Sequence, residues 1–88
     1  MRVCGIEFDD PRENPPRKRD FREWKEGART TVREMWVTAY IHNGTEVSTA
    51  SYPMTINNRG VCTFDGRPVK DEAERRAVAE IFEHVKPV

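Results

Sequence analysis

Eighty-eight residues with 36% hydrophobic and 34% charged side chains make one small domain with a thin core, because a chain this short buries only about 60–65% of its unfolded surface. Fifteen bases balance fifteen acids, which excludes a uniformly basic nucleic-acid binder, and no apolar run is long enough for a membrane span. The charge is uneven: residues 1–11 net −2, residues 12–33 net +4 and residues 34–88 net −2.

Arg2–Phe8 alternates weakly, through Val3, Ile6 and Phe8, and reads as a short strand. Residues 9–19 follow as a loop, in which Pro11, Pro15 and Pro16 stand among charges; proline removes backbone donors and pushes its predecessor out of the helical region. Asp20 is placed to cap a short helix carrying Phe21, Trp24 and Lys25, with Gly27 as its left-handed terminator. Phe21 and Trp24 lie three apart and would share one face of that helix, pinning two turns that are not stable alone.

From Thr30 the period changes to two. Met35, Val37, Ala39 and Ile41 fall on one strand face, and Trp36, Thr38 and Tyr40 on the other. Asn43-Gly44 is a strong hairpin signal. With those two residues as the loop, Tyr40 would face Val47 and Met35 would face Tyr52. Pro53 interrupts the returning strand, so Met54–Ile56 is either its bent continuation or a new strand. Asn57-Asn58-Arg59-Gly60 is a second turn, Val61–Phe64 a short strand, and Asp65-Gly66 closes it.

The final helix is capped by Asp71 with Glu74 three residues on, preceded by Pro68 and followed by Pro87. Ala73, Ala77, Val78, Ile81, Phe82 and Val85 form its apolar stripe, with Glu72–Arg76 and Asp71–Arg75 as pairs one turn apart. The expected fold is therefore a single α+β domain over residues 1–88. It comprises a three- to four-stranded antiparallel β-meander, a C-terminal α-helix on one face and a short N-terminal helix.

The order helix, three strands, long helix resembles that of the double-stranded-RNA-binding domain. In that family the start of the last helix grips phosphate with lysines. The corresponding Lys70-Asp71-Glu72-Ala73-Glu74-Arg75 is acidic, so the resemblance covers element order and no motif.

Catalytic signatures are missing: there is no phosphate loop, nucleophile elbow, HExxH or CxxC. Cys62 and His84 lack an orienting partner motif for nucleophilic chemistry. Cys4, Cys62, His42 and His84 are scattered singly, whereas structural zinc ligands usually come in close pairs. Neither a metal nor a cofactor is expected, and the chain is not expected to be an enzyme. Without an export signal, a cytoplasmic location with reduced thiols is the default, and a Cys4–Cys62 disulfide is an open alternative.

Two surfaces remain as binding candidates. If the helix packs on the Val37 face, Trp36, Tyr40 and Val47 form an exposed aromatic platform, and Trp and Tyr anchor interfaces at low entropic cost. Arg17, Lys18, Arg19 and Arg22 would add electrostatic steering. This profile fits a small non-enzymatic regulator or inhibitor that occupies a partner protein's surface, the habit of many phage- and mobile-element-encoded proteins. The alternative is nucleic-acid binding through the basic segment 12–33, where bases interleave with Phe21 and Trp24; a third is a subunit of a larger assembly. A thin core also favours a homodimer.

Overall fold

A computed structural model of the protein describes residues 1–86, so the expected helix stop at Pro87 lies outside the described residues. The elements are β1 (Arg2–Val3), β2 (Ile6–Glu7), a single 3-10 turn at Lys18–Asp20, β3 (Phe21–Lys25), β4 (Thr31–Asn43), β5 (Glu46–Asn57), β6 (Cys62–Phe64), β7 (Arg67–Pro68) and α1 (Glu72–His84). Strands β3 to β7 form a five-stranded antiparallel meander in chain order, and β1 and β2 make a separate hairpin. The α+β class and the C-terminal helix agree with the sequence reading; the strand count is higher.

One added strand replaces the expected N-terminal helix. Asp20 does not cap a following helix: it ends the 3-10 turn Lys18–Asp20, its carboxylate accepting from the Arg17 N–H at 3.2 Å. Phe21–Lys25 then pairs residue for residue with Thr31–Met35. A two-turn helix would be marginal alone, whereas the strand's backbone is satisfied against β4. Period two therefore sends Phe21 and Trp24 to opposite faces of the sheet. Gly27, expected to end a helix, supplies its positive φ of 83° to the β3–β4 turn. The likeness in element order to the RNA-binding domain disappears with that helix.

Arg2–Phe8 is likewise not one strand. Cys4 and Gly5, with φ of 51° and 78°, fold it into a tight hairpin, the double positive φ of a type I′ turn. Asp65-Gly66 does the same between β6 and β7, at 51° and 76°.

The long hairpin differs in register. Asn43 pairs with Glu46, leaving Gly44-Thr45 as the loop, so Tyr40 faces Thr49 and Val47 faces His42. Gly44 alone takes a positive φ there, 64°, which suits a turn needing it only at the first central position. The shift of two residues keeps every side chain on its expected face and sets Met35 against Met54, both fully buried. Pro53 neither bends nor ends β5. Its carbonyl accepts the Asp65 N–H at 2.8 Å on the β6 side, so its missing N–H also points away from β4 and costs the β4–β5 ladder nothing.

The core lies between one sheet face and α1. Met35, Val37, Ala39, Met54 and Phe64 meet Val78, Ile81, Phe82 and Val85 there; Ala73, expected in the helix stripe, is exposed instead. The N-terminal hairpin fills the rest of this face through Val3 and Phe8, with the Phe8 and Phe64 rings 5.2 Å apart. Asp71 accepts from Glu74 N–H at 2.9 Å as the cap, but the Glu74 carboxylate turns away to accept the Cys4 N–H at 3.0 Å. That bond ties the β1–β2 turn to the first turn of α1. Glu72 pairs with Arg76 at 2.9 Å and also takes Arg75 at 3.9 Å, in place of the expected Asp71–Arg75 pair.

Strands β4 and β5 run past this core, which makes the molecule elongated, 48 × 29 × 20 Å. Their distal ends form a two-stranded ribbon on which Ile41 and Val47 are 42% and 58% exposed.

Candidate interaction face

The sheet face opposite α1 carries Arg22 and Trp24 from β3, Trp36 and Tyr40 from β4, and Val47 from β5. Alternation alone puts them there, because their neighbours Phe21, Met35, Val37 and Ala39 are claimed by the core. The N-terminal hairpin packs on the helix side through Val3 and Phe8, while loop 9–19 borders the outer face beside the half-buried Trp36. Among the described residues, Thr38, Tyr40, Thr49 and Ser51 are left exposed on the outer face.

Each aromatic on this face is held by a carboxylate. The Trp36 indole N–H donates to Glu34 Oε1 at 2.9 Å, and that of Trp24 reaches Glu26 Oε1 at 3.4 Å. The Tyr40 hydroxyl donates to Asp9 Oδ2 at 2.9 Å. That bond and the nearby negative charge hold the phenol above its ordinary range. Asp9 is anchored in turn, its N–H donating to the Thr38 carbonyl at 3.0 Å. Nothing in the sequence marks Asp9 for this role, since 31 residues separate it from Tyr40.

Val47 does not oppose Tyr40 directly but lies one diagonal away, opposite His42, still within reach for an aromatic ring. The Pro-rich loop 9–19 runs along the β4 edge and closes a cleft of about 260 Å³. Arg17 and Arg19 line it together with Trp36 and Thr38, and Asp9 and Asp20 supply the opposite sign. Lys18 is exposed in the same 3-10 turn, and Arg22 sits across from Glu34 on the outer face. The structure thus brings Arg17, Arg19 and Trp36 together in one cleft, whereas Val47 lies out on the distal ribbon, opposite His42 and six residues along β4 from Trp36.

The bases of segment 12–33 are not all on one surface. Arg12 forks onto the Asp10 carboxylate at 2.7–3.1 Å, and this guanidinium holds the Asp10 carboxyl below its usual range. Arg33 lies on the helix side, donating to the Phe82 carbonyl at 2.9 Å with its guanidinium 5.5 Å from that residue's ring centre. Arg29 is in the β3–β4 turn, which Asn58 staples to the β5–β6 turn by donating to the Arg29 carbonyl at 2.8 Å.

The thiols are core features. Both cysteines are free; the buried Cys62 Sγ lies 3.6 Å from the Gly60 carbonyl and 3.9 Å from that of Arg75. Burial pushes its thiol up, away from the reactive thiolate. His84 is exposed at the helix end. Among the described residues, no three His, Cys, Asp or Glu side chains cluster to hold a metal, and no helix is long and apolar enough to cross a membrane.

The chain matches no protein-family model, and comparison with curated proteins and with solved structures gives no significant match either.

Proposed function

We propose that the chain is a small non-enzymatic protein-binding module, a regulator or inhibitor that acts by covering part of a partner's surface. The supporting observation is the convergence of Arg17 and Arg19 with Trp36 in one cleft at the rim of a sheet face that α1 leaves open. Trp36, Tyr40 and Val47 are the apolar anchors, and Arg17, Lys18, Arg19 and Arg22 steer an acidic patch of the partner toward them. Interfaces of this kind draw most of their energy from a few central aromatic residues, with rim charges governing encounter. Because carboxylates already hold Trp36 and Tyr40, little side-chain freedom is lost on docking.

The test is affinity capture from the source cell, with nuclease treatment, comparing the wild type with Trp36→Ala and with the triple variant Arg17/Lys18/Arg19→Ala. A protein should co-purify with the wild type at moderate salt and be lost with Trp36→Ala, at a cost of about 2 kcal/mol or more for a central anchor. The triple variant should bind more slowly and with weaker salt dependence. Recovery of nucleic acid alone, abolished by the triple variant and steeply salt-sensitive, would instead favour the basic-segment reading.

A further inference from the structure

Strand β5 is paired on both sides only over part of its length. β6 covers Met54 to Ile56, and the Asp65 N–H closes on the Pro53 carbonyl. Beyond that point, Glu46–Tyr52 pairs with β4 on one side and with no described residue on the other. The direction of its backbone groups follows from parity. The Pro53 carbonyl and the Asn57 N–H both point to the β6 side, so Val47, Thr49 and Ser51, two residues apart in the same extended strand, present their N–H and C=O groups to that open edge.

The other sheet edges are managed, apart from the short Tyr40–Asn43 end of β4. Phe8 bridges to Ala39 and Asp9 bonds Thr38 along the free edge of β4. β3 carries Arg22, Glu23 and Lys25, and β7 is two residues long and contains Pro68. Charge, proline and brevity are the usual protections of an edge strand. Glu46-Val-Ser-Thr-Ala-Ser-Tyr52 has none between its ends: no base, no proline and no bulge, and Val47, Thr49 and Tyr52 favour extended structure.

We propose that this edge is a self-association site, on which a second copy of the chain docks the same segment antiparallel about a two-fold axis at Thr49. The segment is complementary to itself in that register. Thr49 meets its own copy, Val47 meets Ser51, and Glu46 meets Tyr52 in place of another Glu46. Each Val47, Thr49 and Ser51 then exchanges both of its outward backbone bonds, and directly opposed threonines are a favourable cross-strand pair. Any other occupant would need to bring its own free strand; a second copy brings one already shaped. Seven residues a side is well short of the roughly 20–30 of a standard stable interface, so the dimer forms with concentration and does not persist on dilution. This inference stands apart from the protein-binding reading and would make the two outer faces continuous.

Sedimentation of the full chain from micromolar to millimolar concentration tests it. Wild type should pass from monomer to dimer. Thr49→Pro removes an edge donor and should weaken association about tenfold to a hundredfold, with an unchanged far-UV spectrum, because that N–H makes no bond in the monomer. Should proline disturb the fold, the side-chain variants Thr49→Lys and Thr49→Glu decide. Each should be monomeric alone, with like charges opposed across the axis, and the two should form a heterodimer when mixed. A wild type that stays monomeric throughout overturns the proposal. So does a dimer that survives Thr49→Pro in a folded chain, or a Lys/Glu pair that fails to combine.

Discussion

Replacing Arg33 by alanine separates structural charge from binding charge in this protein. Its guanidinium donates to the Phe82 carbonyl at 2.9 Å, one of the last carbonyls of α1; the preceding Ile81 carbonyl is already taken by the Val85 N–H. A hydrogen bond from a charged donor contributes about 1.5 kcal/mol at the low end, the appropriate choice for a half-buried group. The guanidinium's position 5.5 Å from the Phe82 ring centre adds about 0.5–1 kcal/mol. Its charge at the helix C-terminus overlaps the hydrogen bond, so only a few tenths of a kcal/mol more are assigned to it. Arg33→Ala should therefore cost about 2–3 kcal/mol, which for a domain of this size lowers Tm by roughly 10–20 °C. Arg33→Lys keeps the charge without the fork and should cost about half as much. Urea unfolding measures both, with the m-value expected to stay constant. A loss below about 0.5 kcal/mol for Arg33→Ala would refute the account, because it would mean the bond to Phe82 exchanges freely with water. Arg33→Lys should leave partner capture unchanged, in contrast to Trp36→Ala.

Two further outcomes follow from particular contacts. Glu74→Gln keeps an acceptor for the Cys4 N–H but removes the negative charge; since burial and then the Glu74 charge hold the Cys4 thiol up, the variant should alkylate faster at Cys4 and at an unchanged rate at Cys62. Glu74→Ala should in addition speed hydrogen exchange at the Cys4 amide by several-fold, the loss of about 1 kcal/mol of local protection. Tyr40 is held above the ordinary phenol value of 10.0 by its bond to Asp9. Its contribution is fully present below that pH and is lost as pH rises through the folded-state value. Thermal stability should fall on that alkaline limb in the wild type, and Tyr40→Phe should flatten it. An identical alkaline limb in Tyr40→Phe would show that the Asp9 bond is not coupled to folding.

The local rules carried the parts of the chain where one period dominates. Met35 to Ile41 has a period of two, so the division into a Val37 face and a Trp36 face could be read directly although neither face is purely apolar. It survived a two-residue change of register because strand parity is insensitive to an even shift. The capped helix was legible for the same reason, its stripe and Asp71 agreeing on one answer. The N-terminal third was not. Asp20 signals a helix start but instead ends the turn Lys18–Asp20, and Phe21–Lys25 is too short to hold a helix without packing. Its conformation was decided by the vacant backbone of Thr31–Met35, a partner that local sequence does not reveal. Asp9 could not be connected with Tyr40, nor Arg33 with the end of α1, since both contacts join residues far apart in sequence.

Sequence by itself determined the two faces of β4 and the turns near Gly44, at Asn57-Asn58-Arg59-Gly60 and at Asp65-Gly66, because these follow from backbone period and from the few residues that accept positive φ. Tertiary structure alone decided which face is covered and which edge is left open. Both depend on where Phe8 and α1 find the most apolar surface to bury, and on Pro53, the point beyond which the outer side of β5 has no described partner strand.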